Sequence, residues 1–381
     1  MRIHTFEELR ERAKGLGPRR VAVVSADDEV ALTAAAEALR LGIALPVLAG
    51  DPKKIREIAA SLGLSELIER AEFVDAPNDA AAAVVRLVRA GRAEILLKGH
   101  LRTDELLRAV LHKEDGLRTG RLLSDVMLFQ YGNGKQRLVG LTDGGLNVAP
   151  TLEQKIQIVE NAIEVMRSLG IARPKIAIMS ATEAVSDAVP STKDAQALTA
   201  MGAEGAFGDA EVYGPLAVDN ALLESAAAAK GIHNPVAGHA DCLVAPNIEA
   251  ANMFAKAAKY LGGSACAHVV VGAKAPILIP SRVESAEDKV NAIALGVIFA
   301  ARHSAKGREA LARRPADHNI RFGQIMQLQL LDWAIEDMLS KVRSVGRRCR
   351  GIVIHGENGT KFHRLIRCLS KSLGQSTSSR E

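Results

Sequence analysis

The chain reads as an α/β protein, with mostly parallel sheets and helices on both faces. Three observations predict this. Apolar runs of strand length alternate with helical stretches from Arg20 to Gly272. Aromatic residues are only 3% of the sequence and alanine is abundant, which favours helices packed on sheets over an all-β sandwich. Glycine follows the helical stretches at Gly42, Gly63 and Gly170, where a left-handed residue closes a helix. At 381 residues the length suits two domains, one of which can be inserted in the other.

Each element has a local reason. Thr5 to Lys14 is a short polar helix and Arg20–Ser25 an apolar strand. Asp27 and Asp28 offer N-caps to an alanine-rich helix ending at Leu41. Leu45–Ala49, Glu72–Asp75 and Glu94–Lys98 are strands, separated by helices at Pro52–Leu62 and Asn78–Ala90. Thr103–His112 is helical. Leu122–Gln130 and Arg137–Leu141 are β-like, joined by the turn sequence Y-G-N-G-K. The rhythm restarts near Pro150 with a long amphipathic helix, Thr151–Leu169. Strands follow at Lys175–Ser180, Ala210–Tyr213, Asp241–Ala245 and Ala267–Gly272, with helices at Thr192–Met201, Asp219–Lys230 and Ile248–Leu261.

Composition excludes several classes. The chain is 48% hydrophobic and 24% charged, and its net charge of +5 suits small anionic substrates or plain solubility. No nucleic-acid partner is expected. No apolar stretch approaches the roughly 18 residues needed to span a bilayer, so no membrane partner is expected either. Met1 leads into a charged segment unlike a signal peptide, and a reducing cytoplasm is the simplest setting. Cys242, Cys266, Cys349 and Cys368 have no ligand spacing, and no His/Cys/Asp cluster does, so no metal is expected. Both G-x-x-x-x-G-K-[ST] and G-x-G-x-x-G are absent. After about Pro315 alanine falls while arginine and serine rise, and Met326–Val342 is a candidate amphipathic helix containing Trp333.

The segment Gly272–Asp288, G-A-K-A-P-I-L-I-P-S-R-V-E-S-A-E-D, concentrates the chemistry. An apolar run to Pro280 delivers Ser281 and Arg282 at its end, and a helix-like segment, Ser285 to Arg302, follows. A hydroxyl and a guanidinium between a strand and a helix face a cleft beside free backbone N–H groups. Asp288 lies on the first turn of that helix. On the residues alone, Asp288 is equally a helix-dipole carboxylate, Ser281 a turn serine and Arg282 a surface arginine.

This segment resembles the end-of-core motif of the phosphate acetyl/butyryltransferases. The resemblance covers roughly residues 15 to 305. It includes K-G-H-L-R-T at Lys98–Thr103, T-D-G-G-L-N-V-A-P at Thr142–Pro150 and Q-K at Gln154–Lys155. It continues through G-P-L-A-V-D-N-A at Gly214–Ala221, K-G-I-H-N-P-V-A-G-H-A-D at Lys230–Asp241 and E-A-A-N at Glu249–Asn252. Such enzymes move an acyl group between coenzyme A and inorganic phosphate. The resemblance implies two α/β domains with the active site in the cleft between them, a fold held to be shared with isocitrate- and isopropylmalate-type dehydrogenases. We expect residues 1–145 plus 273–315 to form a discontinuous first domain and 146–272 an inserted second one. Residues 316–381 form an extension of no assigned role.

The resemblance also implies residue roles. Asp288 is the base toward the CoA thiol, its carboxyl raised by a partly dry cleft. Ser281 donates to the developing oxyanion, and Arg282 grips phosphate or a CoA phosphate. Lys98, Thr103, Arg108, Ser124, Thr142, Asp143, Asn220 and Asn252 are expected to bind CoA or phosphate, with Asp219 and Lys256 nearby. Asp125 stands where butyryl-type members usually show histidine, and Ala251 where the family usually has glycine. The T-D-x-x-x-N pattern is butyryl-like and E-S-A-E-D is acetyl-like, so acyl length stays open. CoA is a substrate, no cofactor is expected, and a homodimer or higher homo-oligomer is. Two alternatives remain: a metal- and NAD-dependent decarboxylating dehydrogenase, whose acidic ligands and nucleotide loop are not found, and a non-catalytic acyl-CoA-binding relative.

Overall fold

The computed structural model describes residues 1–133, 135–281 and 283–303. Met1–Arg313 forms one compact unit. The expected extension, with its helix around Trp333, lies outside the described residues.

The first half is built of strands and helices in near alternation. Helix α1 (Phe6–Gly15) is capped by Thr5, whose side chain accepts from the Glu8 N–H. Strand β1 (Arg19–Val24) leads to α2 (Glu29–Arg40), capped by Asp28. Then come β2 (Ala44–Gly50), α3 (Pro52–Ser61), α4 (Ser65–Arg70), β3 (Glu72–Asp75), α5 (Ala80–Arg89), β4 (Ile95–Lys98) and α6 (Thr103–Val110). Strands β5 (Ser124–Asn133) and β6 (Lys135–Thr142) pair as an antiparallel hairpin. Helix α7 (Leu152–Ser168) opens on a reciprocal capping box between Thr151 and Gln154. The second half continues with β7 (Lys175–Met179), α8 (Ser191–Ala203), β8 (Glu211–Leu216), α9 (Val218–Leu222), α10 (Glu224–Ala229), β9 (Cys242–Val244) and α11 (Ile248–Lys256). A π turn at Ala257–Leu261 precedes β10 (Cys266–Val271), β11 (Ile277–Leu278) and α12 (Ala286–His303). The helix expected over Asp219–Lys230 is two helices, because Leu223 is extended at φ −118°, ψ 117°. The π turn likewise ends α11 before Leu261.

All strands among the described residues join one sheet, in the order β3-β2-β1-β4-β11-β10-β5-β6-β9-β7-β8. The expected mostly parallel sheets are therefore corrected to a single mixed one. The block from β3 to β11 is parallel, and so is the block from β6 to β8. Between them β10 runs antiparallel to both β11 and β5, and β5 runs antiparallel to β6. The physical cause is local. The links from β5 to β6 and from β10 to β11 are both too brief for a parallel crossover.

Helix α12 packs on α1, α2 and α7 and crosses β4, β10 and β11. Gly296 permits the close crossing, since a Cβ there would stand 3.1 Å from Leu278 Cδ2 and 3.2 Å from Ile95 Cγ2. One apolar core gathers around Ala22, Val24, Leu96, Leu106, Val270 and Ile277. A second gathers around Met127, Phe129, Leu141, Ala177 and Leu243.

Candidate active site

Strands β4 and β11 lie side by side, with Leu97 paired to Leu278, so their carboxyl ends present Lys98 and the Ile279–Ser281 segment together. The chain after β4 must turn tightly there. A Cβ at Gly99 would lie 2.4 Å from the Ser25 carbonyl oxygen and 2.7 Å from that of Val24. Thr103 opens α6 just beyond. Lys98, Leu101, Arg102, Thr103, Asp104, Ile279, Pro280 and Ser281 line one pocket of about 340 Å³. Lys98 is buried, and its Nζ lies 3.4 Å from the Leu101 carbonyl oxygen. A lysine, two hydroxyls and a helix N-terminus in one pocket suit an anion.

Asp288, on the first turn of α12, is bonded to the start of β10. Val270 pairs with Ile277 in the antiparallel β10–β11 ladder, and beyond it the Glu284 N–H donates to the Ser281 carbonyl at 3.1 Å. The Cys266 N–H donates to Asp288 Oδ1 at 3.0 Å. Ser285 donates to Asp288 Oδ2 through its N–H at 3.2 Å and its hydroxyl at 2.7 Å. The Asp288 N–H returns a bond to Ser285 Oγ at 3.2 Å, which closes a capping box at the start of α12. Lys259 Nζ completes the set at 2.5 Å from Oδ2. Burial pushes the Asp288 carboxyl up, but Lys259, Ser285 and the Cys266 N–H outweigh it and hold the pKa below the usual value. The expected raised carboxyl at Asp288 is therefore corrected: four donors keep it ionised.

Along the same face of β10 and β5 runs a file of buried polar groups. His268 Nδ1 lies 3.0 Å from Asp125 Oδ2, and its Nε2 lies 3.5 Å from Glu284 Oε1. Burial works against the charged imidazole, yet Asp125, Cys266 and Glu284 raise His268 well above its ordinary value. Cys266, His268 and Glu284 place their ligand atoms within 4.8 Å of one another. Sequence spacing did not reveal this group, because 266 and 268 share a strand face while 284 arrives by a loop.

Asp143 follows β6, across from Asp125. Burial first and the Asp125 carboxylate second raise it to about 6, against the Gly145, Asn147 and Leu146 donors. Its Oδ1 accepts from the Gly145 N–H at 2.9 Å and the Leu146 N–H at 3.0 Å, so it organises its own turn. Asn252 Nδ2 donates to the Gly144 carbonyl at 3.0 Å and ties α11 to that turn.

The other expected residues stand apart. Ser124 is fully buried on the opposite face of β5, where Asn161 Nδ2 of α7 donates to its Oγ at 2.8 Å. Thr142 is on that face too, fully buried with no hydrogen bond to its Oγ1. Arg108 is exposed and paired with Asp104 at 3.5 Å. Asn220 is fully buried, with neither side-chain polar atom hydrogen-bonded. Asp219 and Lys256 are exposed. Arg282 lies outside the described residues. Lys259, which sequence reasoning missed, reaches Asp288 from the π turn that follows α11.

With that geometry in place, comparison with known proteins is decisive. A family profile described as phosphate acetyl/butaryl transferase matches residues 67–297. A phosphate acetyltransferase of Rhizobium meliloti is 40% identical over 302 residues, 79% of this chain and 95% of that protein. The chain belongs to the phosphate acetyl/butyryltransferase family. A phosphate butyryltransferase of Clostridium beijerinckii is 40% identical over 298 residues, 78% of this chain and 98% of the relative. Among solved structures, a branched-chain phosphotransacylase from Enterococcus faecalis V583 is 30% identical with a TM-score of 0.64, covering 74% of this chain and 99% of that one. A Streptococcus pyogenes phosphotransacetylase at 22% identity shows the same fold, with a TM-score of 0.67 over 78% of this chain and 99% of its own. These neighbours replace the expected isocitrate/isopropylmalate dehydrogenase-like assignment with the phosphotransacylase fold of the family.

Proposed function

We propose that this family member catalyses acyl-CoA + phosphate ⇌ CoA + acyl phosphate on a short acyl group. The observation that carries the reading is the junction of two features. Ser281 of the anion pocket and the ionised Asp288 are linked in one stretch of chain, where the Glu284 N–H donates to the Ser281 carbonyl and the Ser285 hydroxyl donates to Asp288.

In the direction of acyl-CoA synthesis, Lys98, Thr103 and Arg282 hold the phosphoryl group of the acyl phosphate. Asp288 takes the proton from the CoA thiol as sulfur attacks the carbonyl carbon. Ser281 donates to the oxyanion of the tetrahedral intermediate. That intermediate collapses with cleavage of the carbon–oxygen bond, and phosphate leaves. In reverse, phosphate attacks the thioester and Asp288 returns the proton to the leaving sulfur. CoA is thus a substrate and no further cofactor enters the scheme. An ordinary thiol pKa near 8.5 leaves little thiolate at neutral pH, so a positioned carboxylate helps.

The setting proposed is cytoplasmic. No described helix is long and apolar enough to cross a membrane. A homo-oligomer is supported by the exposed apolar side chains of Met253, Tyr260 and Leu261 on and after α11. Beside them Phe129, Tyr131, Val218, Leu222 and Phe254 line a groove of about 590 Å³.

The test is CoA release from acetyl-CoA and butyryl-CoA, with and without phosphate, with the acyl phosphate trapped by hydroxylamine. Phosphate-dependent release with stoichiometric hydroxamate is expected, and the ratio of the two substrates sets the acyl preference. Release independent of phosphate, or none from either substrate, would overturn the reading.

A further inference from the structure

We propose that Cys266, His268 and Glu284 form a site for one thiophilic divalent cation, Zn²⁺ or Co²⁺, whose binding ties the Ser281–Asp288 segment to β10 and inhibits the enzyme. The binding half stands on geometry alone. The inhibitory half rests on the acyltransferase reading above.

The three ligand atoms already lie within 4.8 Å of one another. A tetrahedral zinc ion with bonds of about 2.0–2.3 Å needs its ligand atoms about 3.3–3.8 Å apart, so side-chain rotations of the order of an ångström complete the set. Cys266 and His268 are two residues apart on β10 and share one face, which fixes two ligands on a rigid strand. The third ligand, Glu284, is buried, and its backbone N–H donates to the Ser281 carbonyl at 3.1 Å.

A second observation points to a metal rather than to a chance cluster. Asp125 Oδ2 lies 3.0 Å from His268 Nδ1, so the ring is oriented with Nε2 toward Glu284. A carboxylate on one imidazole nitrogen with the other left for the ion is the outer-shell arrangement that metal-bound histidines use. The donor set of one thiolate, one imidazole and one carboxylate selects zinc or cobalt over magnesium or calcium. On binding, the Cys266 S–H bond breaks, a sulfur–metal bond forms, and the proton passes to solvent, as does any proton on His268 Nε2. No oxidant or reductant is required.

The functional consequence follows from position. Glu284 belongs to the segment that carries Ser281 and leads to Asp288, and the Cys266 N–H holds Asp288. An ion bridging strand and segment removes the freedom of Ser281 to follow the reacting carbonyl, and it sets a double positive charge beside the base.

The test is a Co²⁺ titration of the full chain followed by absorbance. One equivalent is expected, with tetrahedral d–d bands and a thiolate-to-cobalt charge-transfer band. Cys266→Ser should abolish the charge-transfer band, and His268→Gln and Glu284→Gln should each weaken binding by at least about tenfold. Cys242→Ser should leave the band intact. X-ray absorption on the cobalt-loaded wild-type chain needs no variant, and one sulfur with at least one imidazole is expected in its first shell. A band that survives Cys266→Ser, an all-oxygen shell, or a dissociation constant weaker than about 1 mM would overturn the site. In the activity arm, inhibition should track occupancy. Occupancy without inhibition in an active enzyme would overturn the inhibitory half alone, while absence of any transferase activity would instead strike at the functional reading.

Discussion

Asp288 and Asp143 are two buried carboxylates with opposite fates. Asp288 is lowered because Lys259, Ser285 and the Cys266 N–H outweigh burial. Asp143 is raised to about 6 because burial and Asp125 outweigh its turn donors. The difference gives a kinetic discriminator. If Asp288 is the base, it is ionised across the neutral and mildly acid range, and kcat/KM shows no acid limb belonging to it near 6. An acid limb at about 6 that disappears in Asp143→Asn would assign the base to Asp143 instead. Lys259 is the lever on Asp288. A carboxyl with a lowered folded pKa adds stability above its unfolded pKa, and that stability is lost as pH falls through the folded value. Lys259→Met removes the main opposing charge and raises Asp288. Acid unfolding, followed by circular dichroism, should therefore begin at higher pH than in the wild type. An unchanged acid transition would show that Lys259 does not set the charge of Asp288.

At the scale of elements, the turn from β4 into α6 sets the anion pocket. Gly99 approaches the Ser25 and Val24 carbonyls too closely for any side chain. Gly99→Ala should cost about 1–3 kcal/mol by overpacking, measurable by urea unfolding, and should raise the KM for phosphate more than that for CoA. A stable variant with unchanged KM would remove this turn from the site. Most elements were legible because their signals are local. Thr5 and Asp28 cap α1 and α2 as their residue types demand, and Gly42 and Gly63 adopt φ +71° at the helix ends. What sequence missed depends on register. Ser124 was read as site-facing, but a period of two places it under α7 while Asp125 takes the opposite face. Lys256 was singled out by its spacing from Asn252, yet the π turn puts Lys259 on Asp288. The Cys266–His268–Glu284 group needed the β10–β11 ladder, which no motif encodes.

At the scale of the whole molecule, two parallel blocks of opposite direction meet at the antiparallel strands β10 and β5. Asp288, His268 and Asp125 lie along that central seam, so the site is assembled from distant parts of the chain. The division into residues 1–145 plus 273–315 and 146–272 remains our proposal. Association is the other property at this scale. Met253 and Leu261 are exposed at 68% and 88%. The double variant Met253→Lys, Leu261→Lys should shift the protein from oligomer to monomer in light scattering coupled to size exclusion. A wild-type monomer, or an oligomer unaffected by both charges, would place the contact elsewhere.

The central claim is that Asp288, held ionised beside the anion pocket, removes the thiol proton. Its most direct test is kcat for acyl phosphate plus CoA in Asp288→Asn, which preserves shape and removes basicity. A loss of about 10²–10⁴-fold at neutral pH is expected, partly recovered at higher pH as solvent supplies thiolate, with the KM for CoA within a few-fold of wild type. A folded Asp288→Asn enzyme with near wild-type kcat at neutral pH would contradict it.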